Sequence, residues 1–194
     1  MNKSYHNRPA HDTWHNGAAR EVDLYARSLR NAARMLIENL PQDDKTRADW
    51  NTWPILLLYR EAIELRMKLL VGEGSRFLKS ETDHITLFQT HSLRWLAQIV
   101  CRIVKKVRWQ SDFVCAGVTS LTEFSTLIDE VESLNPVVHP GRLFGVRDPF
   151  DIAQFAAKLD ALLDLLDVTA DALAAEWDRK MQIDLMVDVR PTIH

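Results

Sequence analysis

Apolar residues recur every three to four positions along most of the chain, which is the period of an amphipathic helix. The first such stretch covers residues 17–40. The second is predicted to begin after Thr52, a suitable N-cap, with Pro54 in its first turn, and to end at Gly72 and Gly74. Because its apolar residues form two adjoining stripes, we expect this second helix to be central and to pack on more than one side.

Three further stretches keep the helical period. The third helix is predicted over residues 92–107 and the fourth over residues 120–134. A long last helix is predicted from Asp148, as its cap, and Pro149, as its first residue, to about Met181. No long segment alternates with a period of two, so the pattern predicts helices and not strands.

The predicted fold is therefore all-α, an antiparallel four- to five-helix bundle with an N-terminal arm. Residues 1–16 lack periodicity and are assigned to the arm. Residues 17–183 are assigned to a single bundle domain and residues 184–194 to a C-terminal tail. A chain of 194 residues with 46% hydrophobic residues is sufficient for one substantial core.

Composition narrows the class of protein only slightly. The net charge of −3 gives no general attraction to nucleic acid or anionic lipid. Locally, however, a short basic cluster contrasts with an acidic stretch over residues 148–178. The two are interpreted as solvated faces of opposite sign that dock on each other, or the basic cluster as a phosphate-binding patch. The members of the cluster are Arg102, Lys105, Lys106 and Arg108.

Other classes of site are not supported by the sequence. The two cysteines are too few for a zinc site or a disulfide framework, and no metal or cofactor is predicted. The N-terminus lacks the apolar stretch of a signal peptide, and no segment has the length of a membrane helix. We therefore expect a cytoplasmic protein that does not contact a membrane.

Three charged side chains interrupt the apolar second helix at steps of four: Arg60, Glu64 and Lys68. Residues four apart share a helix face, so the three form two ion pairs along one edge. The row is interpreted either as a solvent-facing edge or as a polar groove that binds a phosphate or a nucleobase. His91, beside the start of the third helix, caps that helix, packs in a polar niche or acts as a general acid or base in the same groove.

The linker over residues 135–147 adds a second set of candidates. It is rich in proline and glycine and carries His139 and Arg142 ahead of the last helix. Free N–H groups and the helix dipole favour anions at a helix N-terminus. The linker is therefore a candidate anion-binding loop, or a crossover whose proline and glycine residues only set its path.

The stretch Tyr59–Leu70, followed by His91, Ser92 and Leu93, resembles bacterial HEPN-type helical proteins. Members of that superfamily often show an LYR-x-A-x-E-L-x-x-K-x-L helix and a later H-D/S-L-x-x-L helix start. The resemblance covers residues 53–96 by motif and extends more loosely to residues 155–177. It implies a four- to five-helix bundle that tends to dimerise, in a toxin–antitoxin, antiviral or nucleotide-handling system.

A subset of these relatives are metal-independent ribonucleases that carry an arginine followed, after four to six residues, by a histidine. This chain departs from that pattern. Arg76 and His84 are too far apart, Arg190 and His194 are too close, and His139 precedes Arg142.

The sequence therefore predicts a non-catalytic or divergent HEPN-like bundle, a homodimer, that binds a nucleotide, RNA or a partner protein. The candidate ligand-binding residues are Arg60, Glu64, Lys68, His91, His139 and Arg142. Two alternatives stay open: a metal-independent ribonuclease, and a purely structural interaction module.

Overall fold

The computed structural model describes residues 19–40, 45–78, 84–134 and 151–188. Within these ranges the chain forms six packed helices and no strand, which confirms the predicted all-α bundle. The helices are α1 (Ala19–Glu38), α2 (Lys45–Leu78), α3 (His84–Gln89), α4 (Leu93–Val107), α5 (Leu121–Ser133) and α6 (Ile152–Asp188).

The central element is α2, which packs against α1, α4 and α6. Its two apolar stripes explain this position, since the first is buried along most of the helix and the adjoining one is mostly half-buried. The fully buried residues of α2 include Ile55, Tyr59, Ile63, Met67 and Leu70. The sequence-based expectation of a central helix is thus confirmed.

Side-chain contacts give the relative directions of the helices. Both α4 and α6 run parallel to α2, whereas α1 runs antiparallel to α6, and α5 antiparallel to α4. The last residues of α2 and α4 therefore lie at the same end of the bundle, beside the later turns of α6. The contacts that fix the parallel directions are Arg60 with His91, Gly74 with Ile103, Arg66 with Asp167, and Phe77 with Trp177.

The ends of α2 differ from the prediction. The helix begins at Lys45, before Thr52, so Pro54 lies inside it, and it continues through Gly72 and Gly74 to Leu78. At Gly74 the reason is close packing against α4, because a Cβ atom there would lie 2.6 Å from both Cδ1 and Cγ2 of Ile103. This glycine therefore brings two helices together and does not end one.

The other helices begin close to their predicted positions. Ser92 and Ser120 are the N-caps of α4 and α5, and each accepts a hydrogen bond from a backbone N–H of the first turn. At the start of α6, Oδ1 of Asp151 accepts a hydrogen bond from the Gln154 N–H. The predicted cap at Asp148, the arm over residues 1–16 and the linker over residues 135–147 lie outside the described residues.

The last helix is longer than expected. It continues to Asp188, so residues 184–188, which were assigned to the tail, belong to α6. Among the helices that the structure describes, none is long and apolar enough to cross a bilayer.

The added methyl group of Gly74→Ala should overpack the contact with Ile103 at a cost of about 1–3 kcal/mol. Because alanine regains about 1 kcal/mol in a helix interior, we expect the variant to be less stable by up to about 2 kcal/mol. The free energy of unfolding in urea measures the difference. In an Ile103→Ala background the same change should stabilise the protein, and destabilisation of equal size in both backgrounds would contradict the account.

Candidate functional site

Glu64 lies at the centre of the predicted polar row. It is on α2 and is only 2% exposed, yet its carboxylate meets three other groups of the chain. Nζ of Lys68 donates to Oε1 at 2.7 Å, Nη1 of Arg60 donates to Oε2 at 3.3 Å, and Nδ1 of His91 lies 2.9 Å from Oε1. The structure thus brings together all four candidates from the first half of the chain.

The two cations of the row also bind backbone carbonyl groups. Nη2 of Arg60 donates to the carbonyl of His91 at 2.8 Å, and Nζ of Lys68 donates to the carbonyl of Phe88 at 3.2 Å. The carbonyl of Phe88 belongs to the last turn of α3, and that of His91 to the connection between α3 and α4. The charged row therefore holds the end of α3 and the start of α4, residues 88–91, against the central helix.

A second carboxylate extends the network to α5. Oε2 of Glu132 accepts a hydrogen bond from the N–H of Leu93 at 3.1 Å and lies 3.9 Å from Nη2 of Arg60. A negative charge at this place is favourable because Leu93 is the first residue of α4, where the helix dipole is positive. We refer to Arg60, Glu64, Lys68, His91 and Glu132 as the Glu64 network.

There is little room for a ligand in the cavity next to Arg60, whose other lining residues are apolar. The cavity next to Arg60 has a volume of about 10 Å³, which is close to the space that one water molecule needs. Arg60 and Lys68 are buried and already donate to the chain's own oxygen atoms. The geometry therefore favours a structural role for this row over the binding of a phosphate.

His91 differs from its partners because 72% of its side chain is exposed. The contact with Glu64 orients the imidazole through Nδ1, as carboxylates orient histidine in many sites. His139 and Arg142, the two candidates from the linker, lie outside the described residues.

A second charged cluster joins α1 to α6. Arg30 donates to Asp160 at 2.7 Å and to Asp164 at 2.6 Å, and the hydrogen bond from Arg30 lowers the pKa of Asp164. Burial raises the pKa of the neighbouring Tyr59, and the charge of Asp160 raises it further. A neutral phenol and matched ion pairs are typical of a packing interface, so this cluster is not a candidate for chemistry.

A concave surface lies at the other end of the parallel helices, where α2 and α4 end beside α6. It has a volume of about 720 Å³, within the range of roughly 300–1,000 Å³ of small-ligand sites. We call this surface the basic groove. The residues that line it are Arg76, Phe77, Lys106, Val107, Trp109, Glu176, Trp177, Arg179 and Lys180.

Positive charge dominates the basic groove. Four cationic side chains and one carboxylate belong to its described lining, and Lys106, Arg179 and Lys180 are exposed. The carboxylate, Glu176, accepts hydrogen bonds from Arg179 at 2.6 and 3.0 Å, which lower the pKa of Glu176 and raise that of Arg179. The groove thus stays cationic at neutral pH, on a chain whose net charge is −3.

Aromatic side chains lie between these cations. Trp177 is half-buried, with Phe77 edge-on to its ring at a centroid distance of 5.6 Å. The guanidinium of Arg76 lies 5.6 Å from the ring centroid of Trp177, and Nζ of Lys180 lies 5.8 Å from it. Cations and indole rings in one groove are suited to an anionic ligand that also carries a flat, apolar group.

The sequence indicated this groove only in part. Lys106 belongs to the basic cluster that was interpreted as a possible phosphate-binding patch. Trp109 and Trp177 were not predicted as site residues, because nothing in their spacing indicates that they line one surface. The parallel direction of α2, α4 and α6 brings them to the same end of the bundle.

Comparisons of the chain with protein-family models, with curated proteins and with solved structures found no match. The HEPN resemblance accordingly stays a prediction. Among the described residues there is also no group of three or more His, Cys, Asp or Glu side chains placed to hold a metal ion.

Glu64→Gln should lower the free energy of unfolding by about 3–5 kcal/mol, because Arg60 and Lys68 would keep buried positive charges without their carboxylate. Urea denaturation measures the change. Glu61→Gln is the matched control; Glu61 pairs with Arg60 at the surface, and its loss should cost less than about 1 kcal/mol. Adding Lys68→Met to Glu64→Gln should restore part of the stability. Wild-type stability of Glu64→Gln would contradict the structural role.

Proposed function

We propose that this protein is a non-catalytic, HEPN-like helical bundle that binds RNA or a nucleotide in the basic groove. The observation that carries the proposal is the meeting of four cations and two tryptophans around one concave surface of about 720 Å³. RNA and nucleotides combine the two features that such a surface recognises, since they carry phosphate charges and flat bases.

The positions of the cations support phosphate as the charged part of the ligand. They come from three helices, with Arg76 on α2, Lys106 on α4, and Arg179 and Lys180 on α6. Arg76 and Lys106 lie in the last turns of their helices, where the negative end of each dipole stabilises them without a ligand. The fold can therefore hold these positive charges close together until a phosphate binds.

The non-catalytic part of the proposal depends on the position of His91. His91 precedes α4 and Lys106 lies in its last turn, and α4 has 15 residues. At about 1.5 Å per residue, the imidazole is about 20 Å from the basic groove along the helix axis. His91 therefore cannot transfer a proton at a phosphate that is bound by Lys106.

Binding should depend on the groove cations. We expect Lys106→Gln/Lys180→Gln to weaken the binding of a fluorescein-labelled ten-nucleotide oligo(U) at least tenfold, because two phosphate contacts are lost. Fluorescence anisotropy at several salt concentrations measures this loss. The slope of log K against log salt should also become shallower by about 0.7 for each lysine removed.

The matched control is Arg94→Gln/Lys158→Gln, which removes the same charge at exposed positions outside the groove lining. It should bind the oligonucleotide nearly as the wild type does. Equal loss in both double variants, or no binding by the wild-type protein, would contradict the proposed site. Cleavage of the RNA that disappears in His91→Ala would contradict the non-catalytic part and support the ribonuclease alternative.

The homodimer that the resemblance implies is proposed to form along the outer face of α1. This face exposes four large apolar side chains, Leu24, Tyr25, Met35 and Leu36. Arg20 and Glu38 lie at its opposite ends and are also exposed. In an antiparallel pair of α1 helices, Arg20 of each copy approaches Glu38 of the other, so a second copy of this chain complements both the apolar stripe and the charges.

Met35→Glu should convert this dimer to a monomer, because it places a carboxylate within the apolar contact. Light scattering during size-exclusion chromatography gives the molar mass. Val168→Glu, on the exposed surface of α6, is the control and should leave the dimer intact. A monomeric wild-type protein at the same concentrations would rule out the dimer.

A further inference from the structure

We infer that the basic groove selects single-stranded nucleic acid, with one unpaired base stacked on Trp177, over a duplex and over a free mononucleotide. The inference rests on the proposed function and adds which form of nucleic acid the groove prefers.

Trp177 is fixed in a position suited to stacking. Phe77 packs edge-on against the indole with an interplanar angle of 84°, so the ring is supported from the side. Of the two cations near the ring, Arg76 is largely buried, whereas Lys180 is exposed. A base can therefore replace the ammonium of Lys180 over the indole, and the displaced ammonium then has a phosphate within reach.

Trp109 offers a second aromatic surface, on a backbone that is held before any ligand binds. It follows Arg108, whose left-handed backbone (φ 63°) ends α4. The backbone N–H of Trp109 donates to the carbonyl of Val104 at 3.0 Å, and its own carbonyl accepts a hydrogen bond from Phe113 at 2.9 Å. A backbone held in this way loses little conformational entropy when a base packs against the indole.

The positive charge extends beyond the space of one phosphate. Arg102 and Lys105 are exposed on α4 and precede Lys106 by four residues and by one residue. They continue the positive surface from Lys106 along α4, outside the groove itself. A mononucleotide would contact only part of this surface, whereas a strand with several phosphates contacts all of it.

A duplex fits the same surface less well. Its bases are paired and stacked on one another, so it can offer phosphates to the cations but no free base to the two indoles. Stacking of single bases on aromatic side chains makes a large and sequence-tolerant contribution to affinity. The groove should therefore distinguish the two forms through Trp177 and not through charge.

The test uses the full-length protein and anisotropy with labelled ten-nucleotide oligo(dT), oligo(U), an abasic strand of the same length and a ten-base-pair duplex, with UMP as a competitor. We expect oligo(dT) and oligo(U) to bind at least tenfold more tightly than the abasic strand, the duplex and UMP. Trp177→Leu should remove this advantage and leave the weak binding of the abasic strand unchanged. Trp95→Leu, a half-buried tryptophan near the start of α4, is the control and should bind as the wild type does.

The outcomes separate the inference from the proposed function. Equal affinity for the abasic strand, the duplex and oligo(dT), all weakened by Lys106→Gln/Lys180→Gln, would overturn the inference and leave the phosphate site standing. Tight binding of oligo(dT) that Trp177→Leu does not change would also overturn it. If neither a nucleic acid nor UMP binds, or if polyglutamate binds as tightly as oligo(dT), both proposals fail.

Discussion

The structure depends on one buried carboxylate. Glu64 lies in the middle of the central helix, where an isolated charge would be strongly unfavourable, and it is stabilised because Arg60, Lys68 and His91 surround it. Through the two cations, the same interaction also holds the carbonyl groups of Phe88, at the end of α3, and of His91, just before α4. It thereby sets where α4 begins relative to α2, and the close contact at Gly74 sets their spacing near the other end.

The charged side chains of the Glu64 network and those of the basic groove have opposite effects on the stability of the fold. In the Glu64 network, Arg60, Glu64 and Lys68 are buried, close to oppositely charged partners, and bound to the chain itself, so they stabilise the fold. In the basic groove, Lys106, Arg179 and Lys180 are exposed and positive charge exceeds negative charge in the described lining. An excess of one sign on an open concave surface costs stability without a ligand and increases affinity for an anion. The second arrangement is therefore the one that suits binding.

Much of the fold follows from local pattern. The helical period predicted the central helix, and steps of four predicted that Arg60, Glu64 and Lys68 share a face. The sequence could not show which groups contact that face, because residues 88–91 reach it only through tertiary packing. The predicted end of α2 was wrong for a related reason. Gly74 has the local pattern of a helix terminator, but in the fold it allows close contact with Ile103. Trp109 and Trp177 were missed because they are distant in sequence and share a surface only in the bundle.

The most direct test of the nucleic-acid site is the set of tryptophan indole N–H signals in a ¹H–¹⁵N spectrum, recorded while oligo(dT) is added to the wild-type protein. The chain has six tryptophans, so each indole reports on its own surroundings. The account predicts that the signals of Trp109 and Trp177 shift and saturate together, while those of Trp53 and Trp95 stay in place. Shifts at Trp53 or Trp95, with Trp109 and Trp177 unchanged, would contradict it.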